Sequence, residues 1–580
     1  MNKIIIGINS YHPDSSACII KNNKIEFAIE EERINRIKHW SGFPIQSIRE
    51  CLKETNTKIE EITDISINSD PYSNIIPKVI FFMKNYVFGS KKKELIQRSL
   101  IKLNIKKELN KELINLSKKI KIHKINHHIS HIASAYFPSN FDEAIGLSID
   151  GSGDFSSLCI ATCNKKRIKI IKQIYFPNSL GIFYEAMTQV NGFKNFGDEY
   201  KLMGLSTYGN PKYSKLIMDN IITENKSFFS LNLKYFNHYK NNFSYNFLGN
   251  PKQQNIYNDN LNLLFNIKND LSNNNISDFQ KDLAASTQVV FELKLKHILE
   301  YIAKIFKIKN LVFAGGCALN SLANGKILLN SNFSNIFIPY APSDSGGAIG
   351  SAIYTNKFIY KNDTHNLLSP YLGSNYSNEV IEKIIKNNNL NSYKILFIKD
   401  FEKLNKFVVE KIINKKIVGW FQSKMEFGSR ALGNRSIIAD PRDKNIKDII
   451  NQKIKRRESF RPFAPAILEE EKKNWFTTNS NNIYMSYVEN VIEEKKKYIP
   501  AVTHIDGTGR VQVVNKNLNN RFYNLIFEFY KKTNVPILLN TSFNENEPII
   551  RTPQEAIDCF VRTKMDLLII ENFIIERENN

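Results

Sequence analysis

Cysteine is scarce in this chain: six among 580 residues, at positions 18, 51, 159, 163, 317 and 559, none in a CxxC pair. That spacing excludes a zinc ribbon and supplies no disulfide framework, so a reduced, cytoplasmic compartment is expected. Cys159 and Cys163 read as buried small hydrophobes. No apolar run approaches the ~20 residues of a membrane-spanning helix, and the apolar start of MNKIIIGINSYHPDSS is too short for a signal peptide. No membrane partner is expected. Walker and Rossmann glycine fingerprints are missing, and no internal repeat or collagen-like tract is visible. Acidic residues are outnumbered, 57 Asp and Glu against 80 Lys and Arg, for a formal net charge of +23. Such an excess suits nucleic acid, anionic membranes or small anions. Its spread through a Lys-, Asn- and Ile-rich chain, as in KKKELIQRSLIKLNIKKELNKE, favours solvated helix faces over one basic groove. No nucleic-acid partner is expected.

Core material is plentiful, with 42% hydrophobic and 12% aromatic residues, and the length leaves room for about three to four compact units. Apolar runs such as KIIIGIN, EFAIE, AIGLSID and NLVFAGG alternate with helical stretches, the pattern of an α/β protein with buried sheets. An Asn-, Phe- and Tyr-rich insertion at 212–275 has weak periodicity, and one or two strong helices follow it in DFQKDLAASTQVVFELKLKHILEYIAKIF. Turn formers concentrate in NDTHNLLSPYLGSNYSN, which divides the chain into residues 1–361, a linker at 362–378 and residues 379–580.

Chemistry concentrates first at 421–465. In FQSKMEFGSRALGNRSIIADPRD, Gly428 and Gly433 bracket Arg430, so the backbone can turn sharply while the guanidinium offers a planar fork for phosphate or carboxylate. Lys455, Arg456, Arg457 and Arg461 follow an amphipathic helix in DKNIKDIINQKIKRRE, and Pro462 and Pro465 stiffen the next turn. Solvated surface charge is the alternative for each basic residue taken singly.

A second constellation lies upstream. His127 and His131 in NHHISHIASAYF stand i,i+4, so a helix projects both imidazoles from one face towards a shared metal, with His128 pointing elsewhere. Asp150 ends the apolar strand of AIGLSIDGSGDFS, where Gly151, Ser152 and Gly153 could wrap backbone amides around a phosphate. Asp344 opens the helix of PSDSGGAIGSAI. Two imidazoles and two carboxylates suit a divalent transition metal; two surface histidines are the alternative. Gly315, Gly316 and Asn320 of FAGGCALN and the Gly346–Gly347 turn admit either a nucleotide or close helix–sheet packing. Glu199, Lys201 and Gly204 of GDEYKLMGL belong to a cleft or to a structural ion pair.

In this order the motifs HHISHIASAYF, SIDGSGD, GDEYKLMGL, FAGGCALN, PSDSGGAIG, MEFGSRALGNRSIIADPR, ESFRPFAPA, DGTGRVQ and NTSFNENEPI resemble the O-carbamoyltransferases of nodulation and antibiotic tailoring. The resemblance spans nearly the whole chain. It implies an N-terminal domain of the actin-like ATPase fold, similar to the threonylcarbamoyl-transferring tRNA-modification enzymes. It also implies an α+β C-terminal domain similar to threonylcarbamoyl-adenylate synthases. Carried onto matching positions, carbamoyl phosphate and ATP would meet at Arg430, Lys455, Arg461, Arg510, Asn540 and Ser542, giving carbamoyl-adenylate. Gly151, Ser152, Glu199, Gly204, Gly315, Gly316 and Asn320 would hold the adenylate again in the N-terminal domain. There His127, His131, Asp150 and Asp344 would bind iron(II), a donor set that zinc or manganese also accepts. A small-molecule hydroxyl would then attack, with His12, Asp14 and Lys38 as catalytic candidates; local packing or surface charge is the other reading of each. Many members read FGPRALG where this chain has Ser429. A tRNA threonylcarbamoyl-transferase would explain the N-terminal half but not the fused 421–465 segment. A sugar or acetate kinase leaves the histidine pair idle, and a nucleic-acid-binding module explains only the charge. A homodimer is compatible with all of this.

Overall fold

The structure, a computed structural model, describes residues 3–84, 105–113, 119–225, 228–240, 245–246, 249–268, 271, 275–478 and 480–578. The chain divides into two compact units, Met1–Leu368 and Ser369–Asn580, fewer than length alone allows. The 362–378 segment is shared between them. His365 N donates to Asn23 O inside the first unit, and Gly373 N donates to Met425 O inside the second.

In the first unit, β1 (Ile4–Asn9), β2 (Ser16–Lys21), β3 (Lys24–Glu30), β4 (Asp64–Ile67) and β5 (Lys121–Lys124) form a sheet of order β3-β2-β1-β4-β5. The first three strands are antiparallel, and β1, β4 and β5 run parallel. The helix α1 (His127–Ser139) leads into β6 (Glu143–Gly153), β7 (Ser156–Asn164) and β8 (Arg167–Tyr175). Further along come the helices α2 (Glu199–Leu205) and α3 (Asp278–Ile305), the strands β9 (Asn310–Ala314) and β10 (Asn335–Phe337), and the helix α4 (Asp344–Tyr354). The second sheet has the order β10-β9-β6-β7-β8, again with three antiparallel strands followed by two parallel ones. This duplicated topology is the actin-like ATPase fold, a repeat that the sequence, with no internal repeat visible, does not display. The repeat lies in connectivity alone: β6–β8 run to 9–11 residues where β1–β3 have 6 or 7, so no sequence period survives.

The helices α1 and α4 pack almost backbone to backbone. A Cβ on Gly350 would stand 1.8 Å from Ser130 O, and α4 lies equally close to β1, where a Cβ on Gly7 would stand 2.1 Å from Ala348 O. Close packing therefore accounts for Gly346 and Gly347 as well, whose Cβ atoms would meet Ala341 O at 1.9 Å and Asn68 Nδ2 at 2.4 Å. The 212–275 insertion is folded where described, with the helices Ser214–Asn220 and Asp259–Leu264 around a hairpin of Ile222–Asn225 and Phe228–Leu231. Phe228, Phe229, Phe236, Ile256 and Tyr257 are buried in it. Its elements are too short to show a period. A single 28-residue helix, α3, follows the insertion. Of the Lys-rich stretch near residue 100, the part before Ile105 lies outside the described residues; Ile105–Glu112 is helical, with Ile105 and Leu109 buried.

The second unit is built on a mixed eight-stranded sheet. Its strands are β11 (Tyr393–Phe397), β12 (Val418–Phe421), β13 (Arg435–Ala439), β14 (Ala464–Leu468), β15 (Gln512–Val514), β16 (Ile537–Ser542), β17 (Leu567–Ile570) and β18 (Phe573–Arg577). They lie in the order β11-β18-β17-β12-β13-β16-β14-β15. The expected amphipathic helix appears as Ile446–Ile449, running on as a π-turn at Ile450–Ile454 with its isoleucines inward. It stops there, which frees Lys455–Arg461 to turn across the unit. All six cysteines are free, and Cys159 and Cys163 are buried, as expected.

Candidate functional site

Asn126 caps α1 by accepting from Ile129 N, and the helical spacing then stacks His127 and His131 on one face. Their Nε2 atoms lie 3.1 Å apart. On β6 the ladder to β7 breaks between Ile149 and Gly153, a bulge that turns Asp150 out of the sheet. Asp344 arrives on the first turn of α4. Asp150 Oδ2 is 3.0 Å from His131 Nε2 and 3.4 Å from His127 Nε2, while Asp344 Oδ1 is 3.3 Å and 3.4 Å from the same atoms. All four donor atoms lie within 4.8 Å of one another. Burial alone would raise the Asp150 carboxyl, but hydrogen bonds from both histidines hold it well below the usual range. Asp344 goes the other way, raised by burial and then by the charge of Asp150. A cation between them would let both ionise. His128 points away to Ser148 Oγ at 2.8 Å, and burial, then His127, push its pKa down to about 3.

Two devices hold the His127 ring. Gly153 leaves room for it, since a Cβ there would stand 2.0 Å from Cδ2, and the His12 ring stacks on it at 4.7 Å. His12 itself is 6% exposed. Its loop is fixed by Asn9, whose Nδ2 donates to Pro13 O and Asp14 O at 2.9 Å each. Asp14 pairs with His39 Nδ1 at 2.8 Å. Although burial opposes it, the charge of Asp14 leads the causes that raise the His39 imidazole to about 9. Lys38 precedes His39 in the same half-buried turn.

Glu199 opens α2, and burial chiefly raises its carboxyl to about 6, with Asp198 and Asp14 adding to the rise. Gly204 lies half-buried in the same helix. Gly315, at φ +90°, makes the turn after β9, where a Cβ would meet Ile149 O at 2.2 Å. A Cβ on Gly316 would come within 3.0 Å of Asp150 Oδ1, so the two residues are neighbours. Gly151 faces open space, with its N–H donated to Asp150 Oδ1, and Ser152 is exposed. The Asn320 side chain caps the helix Ser321–Asn330 and exchanges hydrogen bonds with Gln288. It therefore has a structural occupation.

In the second unit, Gly428 and Gly433 take φ of +108° and +103° around Arg430. Glu426 ties the loop down: one carboxylate oxygen accepts from Leu432 N at 2.7 Å and Asn434 N at 2.8 Å. That ties down the loop on either side of Arg430, while Ser429 is exposed. Burial, followed by the like charges of Arg430, Arg457 and Arg461, depresses Arg510 well below the usual guanidinium range. Burial also lowers Arg430, to about 10. Arg461 is 3.6 Å from Glu458. Arg457 stacks over Phe463 at 4.8 Å and donates to Asn451 Oδ1 at 2.7 Å. Arg510 therefore sits among three like charges, which an anion would offset. Lys455 is buried beside them, but its ammonium is spent on Ser542 and on the Asn544 carbonyl and Oδ1, both at 2.8 Å. It braces the NTSFN turn. The Asn540 amide donates to Gln512 Oε1 at 2.7 Å and to Ala431 O, joining β16 to the arginine loop.

Residues 4–353 match the carbamoyltransferase N-terminus family and residues 409–577 the carbamoyltransferase C-terminus family. The chain belongs to the carbamoyltransferase family. An uncharacterised Synechocystis protein is 36% identical over 99% of this chain and 96% of its own length. The nodulation protein NolNO of Sinorhizobium fredii is 31% identical over 98% of this chain and 80% of its own. A Methanocaldococcus jannaschii protein is 32% identical over 99% of this chain and 100% of its own. Among solved structures, HypF of T. kodakarensis is 14% identical with a TM-score of 0.31, covering 63% of this chain and 49% of that one.

Sequence reasoning missed three supports of this carbamoyltransferase's sites, His39, Glu426 and Asp154, and did not separate Arg457 from its neighbour Arg456. Asp154 accepts from His127 N at 2.8 Å, Asp70 N at 2.8 Å and Ser69 Oγ at 2.7 Å, so it anchors the start of α1 to the segment after β4. Its only sequence signal was the final residue of SIDGSGD. Replacing Asp154 by Ala is expected to cost about 1–2 kcal/mol by thermal denaturation and to weaken metal binding about 10–100-fold in a chelator competition.

Proposed function

We propose that this carbamoyltransferase makes carbamoyl-adenylate from carbamoyl phosphate and ATP at the arginine cluster of its second unit. The carbamoyl group then passes to a small-molecule hydroxyl at the histidine–aspartate cluster of its first. The observation that carries this reading is the pairing of chemically unlike sites in one chain: a buried arginine that faces three others, and two imidazoles converging with two carboxylates. The first suits phosphates, the second a divalent cation.

At the second unit, Arg430, Arg457, Arg461 and Arg510 neutralise the phosphates, while Lys455 holds the Ser542–Asn544 turn in place. Hydrolysis of carbamoyl phosphate releases phosphate and leaves carbamate, whose oxygen attacks the α-phosphorus of ATP and expels pyrophosphate. At the first unit, His127, His131, Asp150 and Asp344 would hold a divalent ion, iron(II) by family likeness, which when bound supplies Lewis acidity. The chain's own residues then orient the reaction. Glu199 and the Gly151 turn border the adenylate, and His12, stacked on His127, stands where it can take the hydroxyl proton. The acceptor oxygen bonds to the carbamoyl carbon as the bond from that carbon to the AMP oxygen breaks.

Radiolabelled carbamoyl phosphate with ATP tests this. Label is expected in carbamoyl-adenylate, with pyrophosphate formed in equal amount; ATP turnover that ignores carbamoyl phosphate would overturn the reading. Metabolite profiling of a strain lacking the protein, searching for one compound that loses a carbamoyl group, identifies the acceptor.

A further inference from the structure

Two polar side chains on the segments that lead towards the histidine–aspartate cluster are buried without partners among the described residues. Asn68 follows β4 and is 0% exposed, and Ser10 follows the adjacent parallel strand β1 and is 1% exposed. Among the described residues, neither Asn68 Oδ1 nor Ser10 Oγ has a hydrogen-bond partner. The orientation of the Asn68 amide is settled by its neighbours. Asn9 Nδ2 donates to two backbone carbonyls, so Asn9 Oδ1 must accept, and it accepts from Asn68 Nδ2 at 3.0 Å. Asn68 Oδ1 is thereby left as a buried acceptor facing no donor. Such groups are rare in folded proteins, and an absent partner is a standard reason for one.

The surroundings say where that partner sits. The next residue, Ser69, donates to Asp154 Oδ1 at 2.7 Å, and the other oxygen of Asp154 accepts from His127 N. On the opposite side Asn68 abuts Gly347, one turn beyond Asp344 on α4. Two residues after Ser10, the His12 ring lies on His127. The segments that carry the two orphaned groups thus adjoin the ones that build the histidine–aspartate cluster.

We infer that Asn68 Oδ1 and Ser10 Oγ receive the amide of the activated carbamoyl group and select it against other acyl groups. This deepens the proposed function and rests on it. A carbamoyl group differs from an acetyl group of nearly the same shape by its –NH2, which brings two N–H donors. An amide oxygen that can only accept matches one of them, and a hydroxyl can take the other. A methyl group in that place would leave both acceptors buried and unpaired, and sites built to bond an N–H reject analogues lacking it far more strongly than sites that merely fit a shape.

Calorimetric titration with synthetic carbamoyl-adenylate and acetyl-adenylate tests the inference. The wild-type protein is expected to prefer the carbamoyl compound by about tenfold or more. Asn68→Ala and Ser10→Ala should each narrow that preference while leaving acetyl-adenylate binding within about twofold. Both residues lie in the first unit, so the difference between proteins reports that unit whatever the second one binds. The preference is a ratio of two ligands sharing one nucleotide, so a variant that only loosens the fold weakens both alike; that outcome, or a preference intact in both variants, overturns the inference. Wild-type protein that binds both adenylates without preference overturns it too, while wild-type protein that binds neither overturns the adenylate reading beneath it. Ser10→Ala removes only an unpartnered hydroxyl, so its melting temperature should match the wild type.

Discussion

Replacing His131 by Ala is expected to abolish carbamoyl transfer while carbamoyl-phosphate-dependent ATP turnover continues. His131 is fully buried, and its Nε2 is within 3.3 Å of both carboxylates and 3.1 Å of His127. The neighbouring His128 cannot replace it, because it is committed to Ser148. Residues that merely orient ligands change metal affinity by about 10–100-fold, so loss of a ligand should exceed about 100-fold. Removing an imidazole from between Asp150 and Asp344 also leaves two close carboxylates, which resist ionising together and so further disfavour the site at neutral pH. Metal content after dialysis, single-turnover transfer from synthetic carbamoyl-adenylate, and pyrophosphate release from ATP separate the steps. Transfer at the wild-type rate without bound metal would refute the assignment of the cluster. An equal loss of pyrophosphate release would refute the division of labour between the units.

The parts of these sites that could be read from sequence are those whose geometry is local. An HxxxH pair needs only a helix to converge, and α1 supplies it. An aspartate at the end of an apolar strand needs only a break in the ladder, which Gly151 and Gly153 permit. What could not be read depends on contacts between distant segments or on one backbone angle. Asp14 meets His39 across 25 residues and Asp154 meets His127 across 27, and neither spacing is a repeat of helix or strand. Arg456 and Arg457 are indistinguishable in KRRE. Yet φ of +44° at Arg456 sends that side chain out to Glu545 at 3.2 Å, while Arg457 turns inward over Phe463. Arg430 and Arg435 share one motif, and only the fold shows that they do different work. Arg435 is fully buried and donates to the carbonyls of Gln422, Asn434, Ser374 and Ser423, with its guanidinium 3.6 Å above the Phe421 ring. The duplicated sheet was hidden for a similar reason: burial constrains which positions are apolar, not which apolar residue fills them.

That contrast between arginines yields the second large effect. Arg510→Leu should destroy carbamoyl-phosphate-dependent ATP turnover, by about 100-fold or more, without destabilising the protein. Burial and three neighbouring guanidiniums already depress Arg510, and its Nε has no hydrogen-bond partner among the described residues, so the ligand-free fold gains little from this charge. Removing it relieves like-charge repulsion worth about 1 kcal/mol, and the melting temperature should hold or rise by about 2–4 °C. Arg435→Leu should do the reverse. It strands four carbonyls and empties the space above Phe421, costing about 3–5 kcal/mol and lowering the melting temperature sharply. Inorganic phosphate should raise the melting temperature of the wild type and leave that of Arg510→Leu unmoved, because only a protein that binds the anion is stabilised by it. Synthetic carbamoyl-adenylate should restore transfer in Arg510→Leu, since the histidine–aspartate cluster is untouched. An Arg510→Leu protein that melts several degrees lower yet still turns over ATP would make this arginine a structural residue. It would leave the arginine cluster without its assigned ligand.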